Sequence, residues 1–213
     1  MSLNCETLIA KHPQAWKLAT RHPFLNNCKT AAIQPGQFNT WLVQDYLFVT
    51  EFTRMAARLL ATAPVRHFDT LLGGLAALKD ELNWFRDKAA ERRLELGVSR
   101  QAPCTRYCQF MEKLAPEPYP VQAVAFWAIE LAYNQAWQLP GKMATPYDEF
   151  ADRWGSPDFT AYVNLLAQQA DEVLQEVRPE IAERAEQAFL EVCALEKDFW
   201  QMAFEGEALL NIP

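Results

Sequence analysis

Asp45 stands on a helical stripe where apolar residues belong. In "FNTWLVQDYLFVTEFTRMAARLL", which starts at Phe38, the residues Trp41, Leu42, Phe48, Val49, Phe52, Met55 and Leu59 recur in steps of three and four, the period of one helix face. Asp45 falls on that face, four after Trp41 and three before Phe48. Glu196 interrupts a second stripe, formed by Ile181, Ala185, Val192, Phe199 and Ala203. Glu130 is the only charged residue in segment 121–137, which is apolar almost all round and carries Phe126, Tyr133, Asn134 and Trp137 at helical spacings from it. A helix apolar on every side belongs at a centre, so Glu130 has little solvent to reach. Glu81, between Leu78 and Phe85, is a lesser case with an escape to the helix edge.

An ionised carboxylate buried alone is costly enough that it normally pairs, hydrogen-bonds or takes a proton. Taken singly, each of these acids reads as a core carboxylate satisfied by Arg, Tyr or backbone. Three on separate apolar faces of one domain point at one interior, and converging acids with shifted proton affinities are what general acid–base chemistry requires. Phe48, Tyr107, Tyr133, Trp154 and Trp200 offer flat walls for a flat ligand, or ordinary core. Pattern alone leaves both readings open.

The elements that must position these residues are helices. The chain has 213 residues, half of them hydrophobic and 22% charged, with only seven Gly; such a chain can bury a sizeable core and is not disordered. A first helix is expected over residues 5–19, interrupted at Pro13, followed by a short turn or helix at "HPFLNNCKT". Pro35 suits the first turn of the long second helix, which "TAP" near Pro64 ends. The third runs from "HFDTLL" and is closed by Gly97. Further helices are expected in "QAPCTRYCQFMEKLAPEP", between Pro120 and Pro140, in "TPYDEFADRWGS", after Ser156 and Pro157, and from "RPEIAERAEQ" onward. No alternating strand, repeat or low-complexity linker interrupts them. The expectation is a single all-α domain over residues 1–213, a helical bundle.

Several function classes lose support. A net charge of −7 with no basic run argues against nucleic-acid binding. No secretory leader and no run of about 18 apolar residues is present, so a cytoplasmic protein is expected. Five cysteines without paired short spacings do not suggest a disulfide framework; Cys104 and Cys108, four apart, read as small packing residues. Di-iron sites in helical bundles use Glu-x-x-His, yet none of His12, His22 and His67 follows a Glu by three, and all lie near predicted helix ends. Neither metal nor haem is expected, and no cofactor. No Gly-rich phosphate loop or Gly-x-Ser-x-Gly is present.

The residues resemble a known family. "HPFL" at 22–25 and "F-x-x-W-L-V-Q-D-Y-L-F-V-x-E-F-x-R" at 38–54 are followed in order by "LKDELNWF", "RYCQFM", "AFWAIELAY", "RWGSPDF" and "LEKDFWQMAF". This ordered set, over nearly the whole chain, is similar to the TenA (thiaminase II-like) proteins. The resemblance implies the haem oxygenase-like all-helical fold without haem, a homodimer or homotetramer, and cleavage of the C–N bond at the exocyclic methylene of 4-amino-2-methylpyrimidines. It implies that Asp45 hydrogen-bonds the pyrimidine's amino group and ring nitrogen, that Phe48, Tyr107 and Trp154 occupy aromatic pocket positions, and that Glu196 lies beside the leaving amine.

The best-known branch of the family has a catalytic Cys on the helix that here reads "AFWAIELAY", and this chain has no Cys between Cys108 and Cys193. Spacing from Tyr107 puts Glu130 at or within one residue of that position, which resembles the branch with Glu in place of Cys. A buried carboxylate suits activating water or moving protons better than adding to a ring. The implied substrate is then 4-amino-5-aminomethyl-2-methylpyrimidine or its N-formyl derivative rather than thiamin, with Asp45, Glu130 and Glu196 catalytic, and Asp45, Phe48, Tyr107, Tyr133 and Trp154 binding the pyrimidine. Alternatives are a pyrimidine-binding protein without turnover and a haem oxygenase-like enzyme with another substrate.

Overall fold

The breaks expected at prolines and caps are where the chain turns. In the computed structural model, which describes residues 3–175 and 177–206, every described segment of regular structure is helical. Asn4 opens α1 (Cys5–Lys11) with a reciprocal box, its side chain accepting from the Thr7 N–H at 2.7 Å while the Thr7 hydroxyl accepts from the Asn4 N–H at 2.9 Å. Pro13, which cannot donate within a helix, starts α2 (Pro13–Thr20) as a separate element. "HPFLNNCKT" is helical too, as α3 (Pro23–Lys29), where His22 Nδ1 accepts from the Phe24 N–H at 3.2 Å. The long α4 (Pro35–Thr62) begins at Pro35, and a short 3-10 turn, Val65–His67, leads into α5 (Phe68–Glu91). Then follow α6 (Ala102–Lys113), α7 (Tyr119–Gln138), α8 (Asp148–Trp154), α9 (Pro157–Leu174) and α10 (Pro179–Glu205). Ser156 caps α9, its hydroxyl accepting from the Phe159 N–H at 3.1 Å.

One boundary differs from expectation. α5 ends at Glu91, six residues before Gly97. Arg93 takes the left-handed conformation (φ 56°), and its N–H donates to Ala90 O at 3.1 Å while the Leu94 N–H donates to Ala89 O at 2.9 Å. These are the paired bonds of a Schellman ending. α3 ends the same way on Ala31 (φ 56°), with Ala31 N–H to Cys28 O and Ala32 N–H to Asn27 O. Glycine is the usual residue there, so neither ending is signalled by residue type.

The contacts group the chain into two compact units. One draws on the chain up to Ala32 and from Pro116 to Lys197; the other on Ile33 to Ala115 and from Asp198 onward. In the first, α7 is the centre, buried from Val121 through Trp137 on nearly every side, with α2, α8 and α9 against it and α1 on α2 and α9. Trp16 of α2 stacks on Trp127 of α7 and on Phe189 of α10, and its indole N–H donates to Gln135 Oε1 at 2.9 Å.

In the second unit, α4 packs on α5 and α6. Phe38 and Trp41 of α4 meet Phe85 of α5 through a chain of ring contacts. The buried Gln44 holds the entry to α6 from both ends of its amide: Nε2 donates to Ser99 O at 3.3 Å, and Oε1 accepts from the Gln101 N–H at 2.8 Å. Among the described residues no helix is long and apolar enough to cross a membrane.

The left-handed turn yields a stability test. An L-residue in that conformation costs about 1–2 kcal/mol, part of which glycine returns as unfolded-chain entropy. Arg93→Gly should therefore stabilise by about 0.5–1 kcal/mol in urea unfolding; a lower midpoint would contradict this account of the α5 ending.

Candidate functional site

Each of the three expected carboxylates is buried on the helix face that its spacing indicates. Asp45 on α4 is 1% exposed, Glu196 on α10 1%, and Glu130 on α7 9%. Their stripe neighbours Trp41, Phe48, Val192, Phe199, Phe126 and Tyr133 are buried with them. Glu81 is half-buried, at the helix edge as its position allowed.

The second unit holds Asp45, Phe48 and Tyr107. Phe48 of α4 and Tyr107 of α6 meet with ring centroids 4.7 Å apart, and Phe199 packs against both, at 5.7 and 6.4 Å, in edge-on geometry. Edge-on and tilted rings are the favoured aromatic arrangement, so these walls are fixed by one another. Asp45 lies one turn before Phe48, and its charge is a lesser influence keeping the Cys104 thiol protonated, after the hydrogen bond with Cys108 and burial. Trp200 is fully buried in this unit.

The first unit holds Glu130, Tyr133, Trp154 and Glu196. Tyr133 stands edge-on to Trp154, centroids 5.4 Å apart at 88°, and Trp137 stacks on the same indole at 5.6 Å. Glu196 lies within electrostatic reach of Cys193, whose thiol is pushed up to about 12 by burial and then by the Glu196 charge. That thiol therefore keeps its proton at neutral pH. All five cysteines are free and buried. The structure thus brings Phe48 to Tyr107 and Tyr133 to Trp154, and leaves Asp45 beside α6.

With this geometry in view, the chain can be compared with known proteins. Residues 9–206 match the model of the TENA/THI-4/PQQC family. The chain belongs to that family. A Glycine max protein named "Probable bifunctional TENA-E protein" is 34% identical over 210 residues, covering 93% of this chain and 92% of its own. An "Aminopyrimidine aminohydrolase" from Halalkalibacterium halodurans is 23% identical, covering 93% and 94%. The crystal structure of a TenA homologue from Pyrococcus furiosus superposes with a TM-score of 0.89 at 28% identity, over 93% of this chain and 98% of that one. The fold is accordingly the all-α haem oxygenase-like fold of the TenA proteins.

Three buried polar residues have roles that pattern reading did not assign. Gln44 holds the entry to α6. Asn134, on the Glu130 stripe, donates to the Trp154 main chain. Glu51 is a fourth buried carboxylate, three after Phe48 and four before Met55, and it is met by Arg54 Nη1 at 2.8 Å and Arg58 Nη2 at 2.9 Å, with Arg100 Nη2 at 3.9 Å. The signal for Glu51 was present: arginines at three and seven residues further on lie on the same helix side. Among the described residues, no group of three or more His, Cys, Asp and Glu could hold a metal ion.

Two tests follow from these environments. Burial pushes Glu51 upward, but the hydrogen bonds from Arg58 and Arg54 outweigh it and hold the carboxyl below the usual range. A depressed folded-state value contributes stability above the unfolded value of about 4.3, lost as pH falls through the folded value. Glu51→Gln should cost about 1–2 kcal/mol at pH 7, the arginines being partly exposed, and the gap to the parent protein should close in acid; an equal gap in urea unfolding at both pH values would contradict the pairing. In native buffer a disulfide-type thiol reagent should label none of the five cysteines until the protein is unfolded, because all are buried; rapid labelling of any one would show that its burial is wrong.

Proposed function

We propose that this chain is an aminopyrimidine aminohydrolase of thiamin salvage. It takes 4-amino-5-aminomethyl-2-methylpyrimidine and hydrolyses the bond from the exocyclic methylene to nitrogen: water supplies the hydroxyl and a proton, ammonia leaves and hydroxymethylpyrimidine remains. With the N-formyl derivative, water attacks the formyl carbon instead, releasing formate and the aminomethylpyrimidine, which then follows the first course. The observation that carries this reading is the burial of Asp45, Glu130 and Glu196 on three largely apolar helix faces in a chain of this family. The name of the Halalkalibacterium relative favours the same chemistry.

In this reading Asp45 takes the amino group and ring nitrogen of the pyrimidine through paired hydrogen bonds. Phe48, Tyr107, Tyr133 and Trp154 take its faces. Of Glu130 and Glu196, one donates the proton to the departing nitrogen and the other accepts one from water, roles that two acids of different environment can divide. In this reading Glu130 does the work of the missing Cys, as in the branch of the family with Glu in its place. The buried Cys193, held as a thiol, is a poor nucleophile for the alternative route. The carboxylates supply both proton transfers, so no metal is needed.

Purified protein given the two pyrimidines should release ammonia or formate, and continue to do so after dialysis against a chelator. Glu130→Gln and Glu196→Gln should each lower kcat about 100-fold or more, the usual worth of general acid–base catalysis. Asp45→Asn should act chiefly on KM, by about tenfold or more, as the loss of a charged hydrogen bond implies. Thermal stabilisation by the pyrimidines without product would identify a non-catalytic binder instead. Full activity in both glutamine variants would overturn the assigned mechanism.

A further inference from the structure

One face of α7 converges on Trp154. Tyr133 touches the indole edge-on and Trp137 stacks on it. Asn134, lying between them in sequence, donates through Nδ2 to the Trp154 main-chain oxygen at 2.7 Å. Nδ2 also reaches the Thr160 hydroxyl at 3.1 Å, and Oδ1 lies 3.3 Å from that hydroxyl. Glu130 is one turn earlier on the same face.

Asn134 is 1% exposed, so its amide has no water to turn to. An apolar side chain would complete this helix without the cost of desolvating an amide. What the amide provides is a directional hold on one carbonyl. Trp154 is the last residue of α8, and carbonyls in a final turn have no partner within their own helix. One turn further along α7, the exposed Gln138 repeats the device on the next residue, its Nε2 donating to Gly155 O at 3.0 Å and to Thr160 Oγ1 at 2.7 Å. The junction is tight: a Cβ on Gly155 would stand 2.6 Å from Ala151 O and 3.2 Å from Gln138 Cγ. Gln138, through Gly155 and Thr160, and the Ser156 cap also tie the α8–α9 junction. The contribution left to Asn134 is the setting of Trp154 itself.

We propose that Asn134 is a positioning residue for the pyrimidine site: by holding the Trp154 carbonyl it fixes the indole against α7 one turn from Glu130, where the ring of the substrate is to lie. This rests on the hydrolase reading above. It makes the hydrogen bond to the carbonyl, and not the bonds to Thr160, the route by which Asn134 acts on substrate affinity.

The test has a ligand-free arm and a kinetic arm. The indole N–H resonance of Trp154, identified by its loss in Trp154→Phe, is followed in Asn134→Leu, Asn134→Asp and Thr160→Val. Both Asn134 variants should move it, while Thr160→Val, which leaves the carbonyl bond intact, should not. With the aminomethylpyrimidine as substrate, the Asn134 variants should raise KM about tenfold, one hydrogen bond's worth of binding, and leave kcat within about threefold. In the Trp154→Phe background the same substitutions should add little, since residues acting through one another are not additive. An unmoved indole signal overturns the positioning role alone. So does a KM effect undiminished in Trp154→Phe, or a fall in kcat with KM unchanged. Wild-type protein that neither binds nor turns over an aminopyrimidine overturns the hydrolase reading, and this inference with it.

Discussion

A helix buried on every side gives its polar groups no water to fall back on, and α7 is such a helix. Gln122 reaches the Glu117 carbonyl at 2.7 Å, and Asn134 reaches that of Trp154. Each of these amides ties the central helix to a particular point of the chain around it. Leaving one buried and unmet would cost about 1–3 kcal/mol, a large share of the stability of an ordinary domain. Much of the first unit follows from that constraint. The place of α8, the setting of Trp154 and the start of α9 are all fixed by side chains of α7 or by groups bonded to them.

The second unit solves a related problem on α4. Gln44, Asp45 and Glu51 are all buried on a helix that otherwise presents Phe, Trp, Val and Leu to its neighbours. Gln44 spends its amide on the entry to α6, which carries Tyr107 to Phe48. Glu51 is answered by two guanidiniums from its own helix and is accounted for as structure. Asp45, between them in sequence, is the one proposed to bind the pyrimidine. Burial alone therefore does not distinguish a functional carboxylate from a structural one.

The cysteines make the same point from the other side. Their number and spacing suggested packing, and all five are buried and free. Burial followed by the nearby Glu196 charge keeps Cys193 a thiol. A chain of this family without an exposed thiolate among its described residues is better suited to proton transfer by carboxylates, which is the chemistry proposed for it.

How much was legible in the sequence depended on how local the signal was. The three-and-four spacing around Asp45, Glu130 and Glu196 marked their buried faces, because helical periodicity is a property of neighbouring residues. Pro13, Pro35 and Ser156 marked helix starts, because capping and proline geometry act within one turn. The end of α5 was not legible: Arg93 adopts a conformation usually left to glycine, so the boundary fell short of Gly97. Nor could spacing reveal that Gln44 meets Gln101, 57 residues on, or Asn134 meets Trp154, 20 residues on. The sequence by itself determined the helices, their buried faces and the carboxylates set among them. Only the tertiary structure decided which buried amide holds which carbonyl or N–H, because a hydrogen-bond partner is chosen by how helices pack and not by the residues alongside it.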